Sequence, residues 1–338
     1  MGLFFLKQEI AMDLGTANTI IIHNDKIVVD QPSIVAVNRK TGKVMAIGDR
    51  ARMMHGKTHS DIETIRPLRD GVIADFNAAE MMIRGMIKMT KIKGMFNPSL
   101  RMVICIPSGS TNVEIRAVKD SAERGGGREV FLIFEPMAAA LGIGLDVEAP
   151  EGHMVIDIGG GTTEIAVISL GGLVCNESIN IAGDVFTEDV QLYMRQQHNV
   201  KIGERTAEEI KIAVGSAVPI LENPPEDFTV IGHNITTALP CEVTVSYQEI
   251  AYALDKSLVK VDAAIMKALE KTPPELFRDI VQKGIYLAGG GALIKGLDKR
   301  LSEKTNIPFH IAEDPLRAVA RGTGTVLKNI DSFSFLMK

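Results

Sequence analysis

Two stretches of this chain carry one pattern. In each, an apolar strand ends in aspartate, an apolar residue and a glycine turn, and threonine then leads into a second apolar strand. The first copy is Met12-Asp13-Leu14-Gly15-Thr16, between apolar segments at 10–14 and 19–23. The second is Ile156-Asp157-Ile158-Gly159-Gly160, between segments at 154–158 and 164–169. The copies open the two halves of the chain, where a duplicated fold would place them. A glycine-rich turn lets backbone N–H groups approach an anion with no side chain in the way. An aspartate just before it, at the carboxyl end of its strand, can hold Mg2+ through water beside phosphates. One such turn alone is also a plain hairpin. A matched pair suggests two hairpins gripping one phosphate chain from opposite sides.

Between and after the copies, strands and helices alternate, which indicates an α/β sheet protein. Residues 101–106 and 129–134 read as buried strands and 111–124 and 137–144 as helices. The helix at 77–93 places Met82, Met86 and Met89 on one core face. Ala149-Pro150-Glu151-Gly152 reads as a link to the second half. There, helices are expected at 188–197, 207–214, 247–270 and 275–282, with short strands in 228–245. The strand at 284–288 runs into Gly289-Gly290-Gly291-Ala292 and a helix at 293–301; a strand at 307–311 and a helix at 315–327 close the chain. The triple glycine is neither a Walker A motif nor GxGxxG. It permits close approach of a base or sugar to a helix start, and it equally serves as a tight strand–helix turn. Glu135 ends the strand at 130–134 and precedes Pro136. At a strand's carboxyl edge a glutamate can orient or deprotonate a water, or satisfy the N–H groups of the following helix.

Composition narrows the class. At 338 residues the chain has room for about two domains. The net charge of −5 argues against nucleic acid as a partner. The three cysteines, Cys105, Cys175 and Cys241, form no CxxC pair, so neither a disulfide framework nor a zinc site is expected. Cys105 lies inside an apolar run and reads as core. There is no apolar run of about 18 residues to span a membrane, and the N-terminus lacks both a secretory h-region and a myristoylation signal. A cytoplasmic protein is expected.

Four motifs in order carry a resemblance: Asp13-Leu14-Gly15-Thr16-Ala17-Asn18-Thr19, Glu135-Pro136-Met137-Ala138-Ala139-Ala140, Asp157-Ile158-Gly159-Gly160-Gly161-Thr162-Thr163-Glu164 and Gly289-Gly290-Gly291-Ala292. Together they are similar to the actin, sugar-kinase and DnaK-chaperone superfamily. Segments without an evident phosphate role, such as Arg66-Pro67-Leu68-Arg69-Asp70-Gly71, Ile202-Gly203-Glu204-Arg205-Thr206-Ala207-Glu208-Glu209-Ile210-Lys211 and Ala312-Glu313-Asp314-Pro315, narrow this. Along nearly its whole length the chain resembles the MreB family of bacterial actins.

The resemblance implies a duplicated actin-like (ribonuclease H-like) α/β fold with ATP in the cleft between two lobes. Lobe I would span 1–144 with an inserted subdomain at about 32–66. Lobe II would span 145–338 with an insertion at about 183–250, its closing helix at 315–327 returning to lobe I. Gly15, Thr16, Ala17 and Asn18 would form one phosphate hairpin and Gly159, Gly160, Gly161 and Thr162 the other. Asp13 and Asp157 would support Mg2+, and Glu135, with Asp157, would serve hydrolysis by positioning the attacking water. Glu208, Glu209, Ile210 and Lys211 would meet the ribose and adenine from one side, and Gly289, Gly290, Gly291 and Ala292 from the other. The family's activity implies an ATP hydrolase that assembles with copies of itself into antiparallel double filaments. These lie on the inner face of the cytoplasmic membrane and organise the cell-wall (peptidoglycan) elongation machinery that maintains rod shape. Leu3, Phe4, Phe5 and Leu6 at the N-terminus, and Met95 and Phe96 beside Lys91, Lys93 and Arg101, have the apolar and cationic character that membrane contact needs. Val113 and Val118, in the helix at 111–124, are candidates for filament pairing. A sugar or acetate kinase of the same fold is the alternative, but no polar cluster beyond Glu135 marks a second substrate. A DnaK-type chaperone would need a peptide-binding domain beyond Lys338.

Overall fold

The computed structural model describes residues 8–92 and 100–337. The first half opens with an antiparallel meander, β1 (Gln8–Leu14), β2 (Asn18–His23) and β3 (Lys26–Pro32). A small sheet follows, built from β4 (Val35–Asn38), β5 (Val44–Ile47) and β6 (Ile62–Ile65), with α1 (Asp49–Met54) packed on it. The two-residue strands β7 (Leu68–Arg69) and β8 (Val72–Ile73) lead to α2 (Phe76–Met89). Then come β9 (Leu100–Ile106), α3 (Asn112–Gly125), β10 (Glu129–Phe134) and α4 (Glu135–Ile143).

The second half repeats the plan. It begins with β11 (His153–Ile158), β12 (Thr163–Ser169) and β13 (Gly172–Ile179). It continues with α5 (Gly183–Gln197), β14 (Val200–Lys201), α6 (Glu204–Val214), β15 (Phe228–Asn234) and β16 (Pro240–Val245). Next are α7 (Tyr247–Lys271), α8 (Pro274–Lys283), β17 (Ile285–Ala288), α9 (Leu297–Thr305), β18 (Phe309–Ile311) and α10 (Ala318–Lys328).

The duplication is visible in strand order. The first sheet runs β3-β2-β1-β9-β10 and the second β13-β12-β11-β17-β18. In both, the first three strands are antiparallel and the last two join in parallel. Even the tight turns correspond. The β2–β3 turn puts Asn24 and Asp25 at positive φ, and the β12–β13 turn does the same with Leu170 and Gly171. Two consecutive left-handed residues give the turn whose twist matches a two-residue hairpin.

Each lobe has its own apolar core, and a third cluster joins them. That cluster holds Ala11, Ile20 and Val103 from the first sheet and Val155, Ala166 and Ile168 from the second, around the alanines of α4 and residues of α10. Small residues are needed there because α4 and α10 touch backbone to backbone. A Cβ on Gly322 would lie 1.7 Å from the carbonyl oxygen of Ala138, and one on Gly142 1.8 Å from that of Ala318. Helix ends follow local chemistry. At α3 the Thr111 hydroxyl accepts from Glu114 N–H while the Glu114 carboxylate accepts from Thr111 N–H at 2.7 Å. Ser246 and Glu249 do the same at α7. Such caps stabilise a helix by about 1 kcal/mol.

Several sequence expectations need correction. Met82 and Met86 are fully buried, but Met89 is exposed because α2 ends there. Val118 packs into the core of the first lobe, leaving Val113, which is 79% exposed, as the surface residue of that pair. The segment after the triple glycine is a 3-10 turn over Gly290–Leu293, and the α-helix starts only at Leu297. The closing segment likewise opens with a 3-10 turn, Pro315–Arg317, before α10. Strands β6, β7, β8, β13 and β14 and helix α1 are additions to the sequence reading. Leu3, Phe4, Phe5, Leu6, Lys93, Met95 and Phe96 lie outside the described residues. Among the described residues no helix is long and apolar enough to cross a membrane.

Candidate functional site

The two glycine hairpins form by the same bond. Gly15 N–H donates to the Asn18 carbonyl at 3.1 Å, and Gly159 N–H to the Thr162 carbonyl at 2.9 Å. The tips then meet across the space between the lobes. A Cβ on Gly160 would come 2.7 Å from the Cβ of Ala17, and one on Gly161 2.7 Å from Thr16 Oγ1. Thr16 Oγ1 also accepts from Gly71 N–H at 3.0 Å, which fastens the first hairpin to the β7–β8 turn. Ser33 Oγ donates to the Gly15 carbonyl at 2.6 Å and braces it from behind. Ala17 and Asn18 remain exposed at the tip.

Acidic groups gather beneath the tips. Asp13 and Asp157 occupy equivalent places at the ends of β1 and β11. Glu135 begins α4, nearly buried, where β10 ends. Loss of water around Asp157 pushes its carboxyl up to about 7, with the charges of Asp13 and Glu164 adding to the rise. Desolvation pushes Asp13 up to about 6, partly offset by a hydrogen bond from the Cys105 thiol at 3.2 Å. Glu135 is raised well above the ordinary carboxyl range, chiefly by burial and then by the charges of Glu164, Asp157 and Asp13. Anions crowded in a poorly solvated space hold protons, and a cation entering that space would displace them.

The donor set suits a hydrated divalent ion. Asp157 Oδ1 is buried without a hydrogen-bond partner among the described residues, an arrangement whose cost a water or cation would remove. Among the described residues no three His, Cys, Asp or Glu side chains stand close enough to hold a metal by themselves. Mg2+ commonly keeps several waters and binds through one or two carboxylates plus phosphate oxygens.

The remaining sequence candidates fall into two groups. Lys211 Nζ donates to the Gly183 carbonyl at 2.8 Å and to Thr187 Oγ1 at 3.0 Å, and it pairs with Glu208 at 2.6 Å. The start of α5 is in turn bonded to the second hairpin, Asp184 N–H donating to the Gly160 carbonyl at 2.8 Å. Glu208 and Lys211 therefore stand directly behind that hairpin. Glu209 is turned to Arg205, and Ile210 is enclosed in the core of the second lobe. Gly289, at φ +78°, lies against the end of β11: a Cβ there would come 2.5 Å from Asp157 Oδ1. Gly291 packs on Ile158, where a Cβ would come 2.2 Å from Cγ2, and Ala292 is buried. Close packing thus requires two of these glycines whatever ligand they face. Gly290 meets only Leu316 at 3.1 Å.

Cys105, Ser108, Glu164 and Ser178 were not singled out as site residues from the sequence. Cysteine in an apolar run carries no signal of its own. Its place beside Asp13 comes from the parallel pairing of β1 and β9, in which Met12 faces Ile104. Glu164 had a signal: aligning the two copies sets it opposite Ile20.

Comparison with known proteins agrees with this architecture. The family model described as MreB/Mbl protein matches residues 7–334. The cell shape-determining protein Mbl of Bacillus subtilis is 44% identical over 325 residues, covering 96% of this chain and 97% of its own. The cell shape-determining protein MreB of Escherichia coli is 46% identical over 335 residues, covering 98% and 95%. The crystal structure of MreB 5 of Spiroplasma citri bound to AMPPNP superposes with a TM-score of 0.91 at 39% identity, covering 96% of this chain and 97% of that one. A double helical filament of MamK shares the fold at a TM-score of 0.79 and 20% identity. With two matched hairpins, two sheets of one topology and this similarity along its length, the chain belongs to the MreB/Mbl family of actin-like, cell shape-determining proteins.

Proposed function

We propose that the chain binds ATP with Mg2+ between its lobes and hydrolyses it to ADP and phosphate as it assembles with copies of itself. The observation that carries this reading is the apposition of two glycine hairpins, one from each lobe, above half-buried Asp13 and buried Glu135 and Asp157. Gly15, Thr16, Ala17 and Asn18 hold the phosphates from one side and Gly159, Gly160, Gly161 and Thr162 from the other. Lys211 and Glu208, with Glu209 on the same helix, lie toward the ribose and base, and Gly289 to Ala292 flank the adenosine. Asp13 and Asp157 hold Mg2+ through water. When bound, that ion supplies positive charge that offsets the phosphate oxygens.

Glu135 orients the attacking water. Burial and the neighbouring acids raise its carboxyl well above the ordinary range, and positive charge entering the space lowers it again, freeing the carboxylate to accept a hydrogen bond from the water. A structure of MreB5 of Spiroplasma citri bound to ADP, at 39% identity, supports nucleotide as the ligand. Lobes at 1–144 and 145–338, with insertions at about 32–66 and 183–250, are the moving parts, and α4 and α10 join them.

The same reading places antiparallel filaments on the inner face of the cytoplasmic membrane, where they guide cell-wall synthesis. Leu3, Phe4, Phe5, Leu6, Met95 and Phe96 would make the contact. Many weak contacts along a polymer sum to firm attachment.

The test is phosphate release against protein concentration with Mg-ATP and anionic vesicles. Assembly-coupled hydrolysis gives little turnover below a threshold concentration and a steep rise above it. Glu135→Ala keeps nucleotide binding and slows release about 100-fold or more. Turnover strictly proportional to protein from the lowest concentration would sink the coupling and favour a single-molecule kinase.

A further inference from the structure

The duplicated lobes differ at one position beneath the hairpins. Asp13 on β1 pairs across to Ile20 on β2, and Asp157 on β11 pairs across to Glu164 on β12. Both flanking threonines, Thr19 and Thr163, are fully buried, so the frames correspond. One lobe fills the place with an isoleucine. The other buries a glutamate completely. Taking a carboxylate out of water is costly unless donors replace the lost hydration. Here they do. Glu164 Oε1 accepts from Ser178 Oγ at 2.5 Å, and Oε2 accepts from Ser108 N–H at 3.0 Å and from the Ser108 hydroxyl. Asn176 Nδ2 then donates to Ser108 Oγ at 3.2 Å.

The network crosses between the lobes. Ser178 and Asn176 sit on β13 of the second sheet, while Ser108 follows β9 of the first. The loop carrying Ser108 leaves the sheet beside Glu135, because Ile106 of β9 pairs with Phe134 of β10. Packing there is tight, for a Cβ on Gly109 would come 3.1 Å from the Cβ of Ser178. Glu164 therefore grips, from the strand next to Asp157, the strand ends that present Glu135.

We propose that Glu164 is a positioning residue for phosphate cleavage: by fastening the Ser108 loop of one lobe to β12 and β13 of the other, it sets Glu135 against Asp157 at the floor of the cleft. This rests on the hydrolase reading above and deepens it. Binding energy for the nucleotide comes from the hairpins, which Glu164 does not form. Its loss should act on the chemical step more than on affinity. A misplacement of about 1 Å at a reacting group can cost about 100-fold in rate.

The experiment compares the full unaltered chain with Glu164→Gln, Ser108→Ala and Ser178→Ala. Single-turnover hydrolysis of Mg-ATP and affinity for a fluorescent ATP analogue are measured on each. Glu164→Gln keeps the shape but sets an amide against donors. It should lower the hydrolysis rate about 20-fold or more while affinity stays within about 3-fold. Ser108→Ala removes the hydroxyl and keeps the backbone N–H, so its rate should fall about 3- to 10-fold. Should Glu164→Gln fail to fold, the two serine variants decide the matter. Unchanged hydrolysis in the folded variants overturns the proposal, as does a parallel fall in rate and affinity, which marks a merely structural tie. No hydrolysis by the unaltered chain under assembling conditions overturns the hydrolase reading, and this proposal with it. Hydrolysis by the unaltered chain and all its variants alike overturns this proposal alone.

Discussion

The acidic chamber has a consequence for stability that two side chains carry. Asp13 and Asp157 hold their protons to about pH 6 and about pH 7 in the folded chain, because burial disfavours their charged forms. In the unfolded chain they titrate near the ordinary aspartate value of 3.8. The folded state binds these protons more tightly, so the contribution is fully present below about pH 4 and is lost as pH rises through 6 and 7. The nucleotide-free Asp157→Asn variant should therefore melt level with the unaltered chain near pH 4 and above it near pH 8. Melting curves across that range check this, and an equal offset at both ends contradicts it. At this scale the sequence was a partial guide. Asp13 and Asp157 stood out as candidates because the same acid-and-glycine turn recurs in both halves, and Glu135 because it ends a strand before Pro136. Cys105 and Ser108 were not, because nothing in a strand's own residues says which neighbour it will pair with.

Elements were the most legible scale where periodicity was strong and the least where turns decided. The limits of β5 and β10 match their apolar runs, and the capped helices α3 and α7 start where Thr111 and Ser246 place them. Strand β13 escaped although Gly171-Gly172 marks its turn, because Asn176-Glu177-Ser178 breaks its apolar run and none of its residues is fully buried. The helix expected at 293–301 begins late because Gly291 must lie on Ile158, which fits a 3-10 turn. Contact between α4 and α10 yields a sharper expectation. Gly322→Ala drives a methyl into the Ala138 carbonyl, 1.7 Å away, and two helix backbones must separate to admit it. Overpacking of this kind costs about 1–3 kcal/mol or more. The variant should melt several degrees lower, whereas Gly42→Ala, with nothing within 4 Å but φ +64°, should lose far less. Equal losses in calorimetry would contradict this account of the joint.

Across the whole molecule, ion pairs join the two halves of the chain near β6 and α6. Arg66, just past β6, pairs with Glu204 at the start of α6 and lies 3.7 Å from Asp184 at the start of α5. His55 Nε2 lies 3.5 Å from the same Glu204. These side chains are more than a third exposed, so each pair contributes at most about 1 kcal/mol and is weakened by salt. That is small for stability, but a pair that bridges the two halves must break whenever they part. Arg66→Glu should release bound nucleotide about 3- to 10-fold faster at low salt, by adding repulsion to the lost pair. The double exchange Arg66→Glu with Glu204→Arg should recover much of the difference. Stopped-flow displacement of a fluorescent nucleotide reads both, and no recovery in the double variant would remove the clasp from the account.

The sequence by itself determined the duplication, the α/β class, the hairpin glycines and the acids that precede them. These are local properties: a turn needs its glycine, and a strand its apolar run, wherever the chain later goes. The tertiary structure alone decided what faces what. It set Ala17 against Gly160, Cys105 against Asp13, Ser108 on Glu164, and Arg66 on Glu204. It also sent Ile210 and Val118 into cores and left Val113 outside. The physical reason is that a side chain's partner is fixed by sheet order and lobe closure, which join residues 56 apart at Ser108 and Glu164 and 92 apart at Asp13 and Cys105. No spacing along the chain encodes such a pairing until the sheets are built.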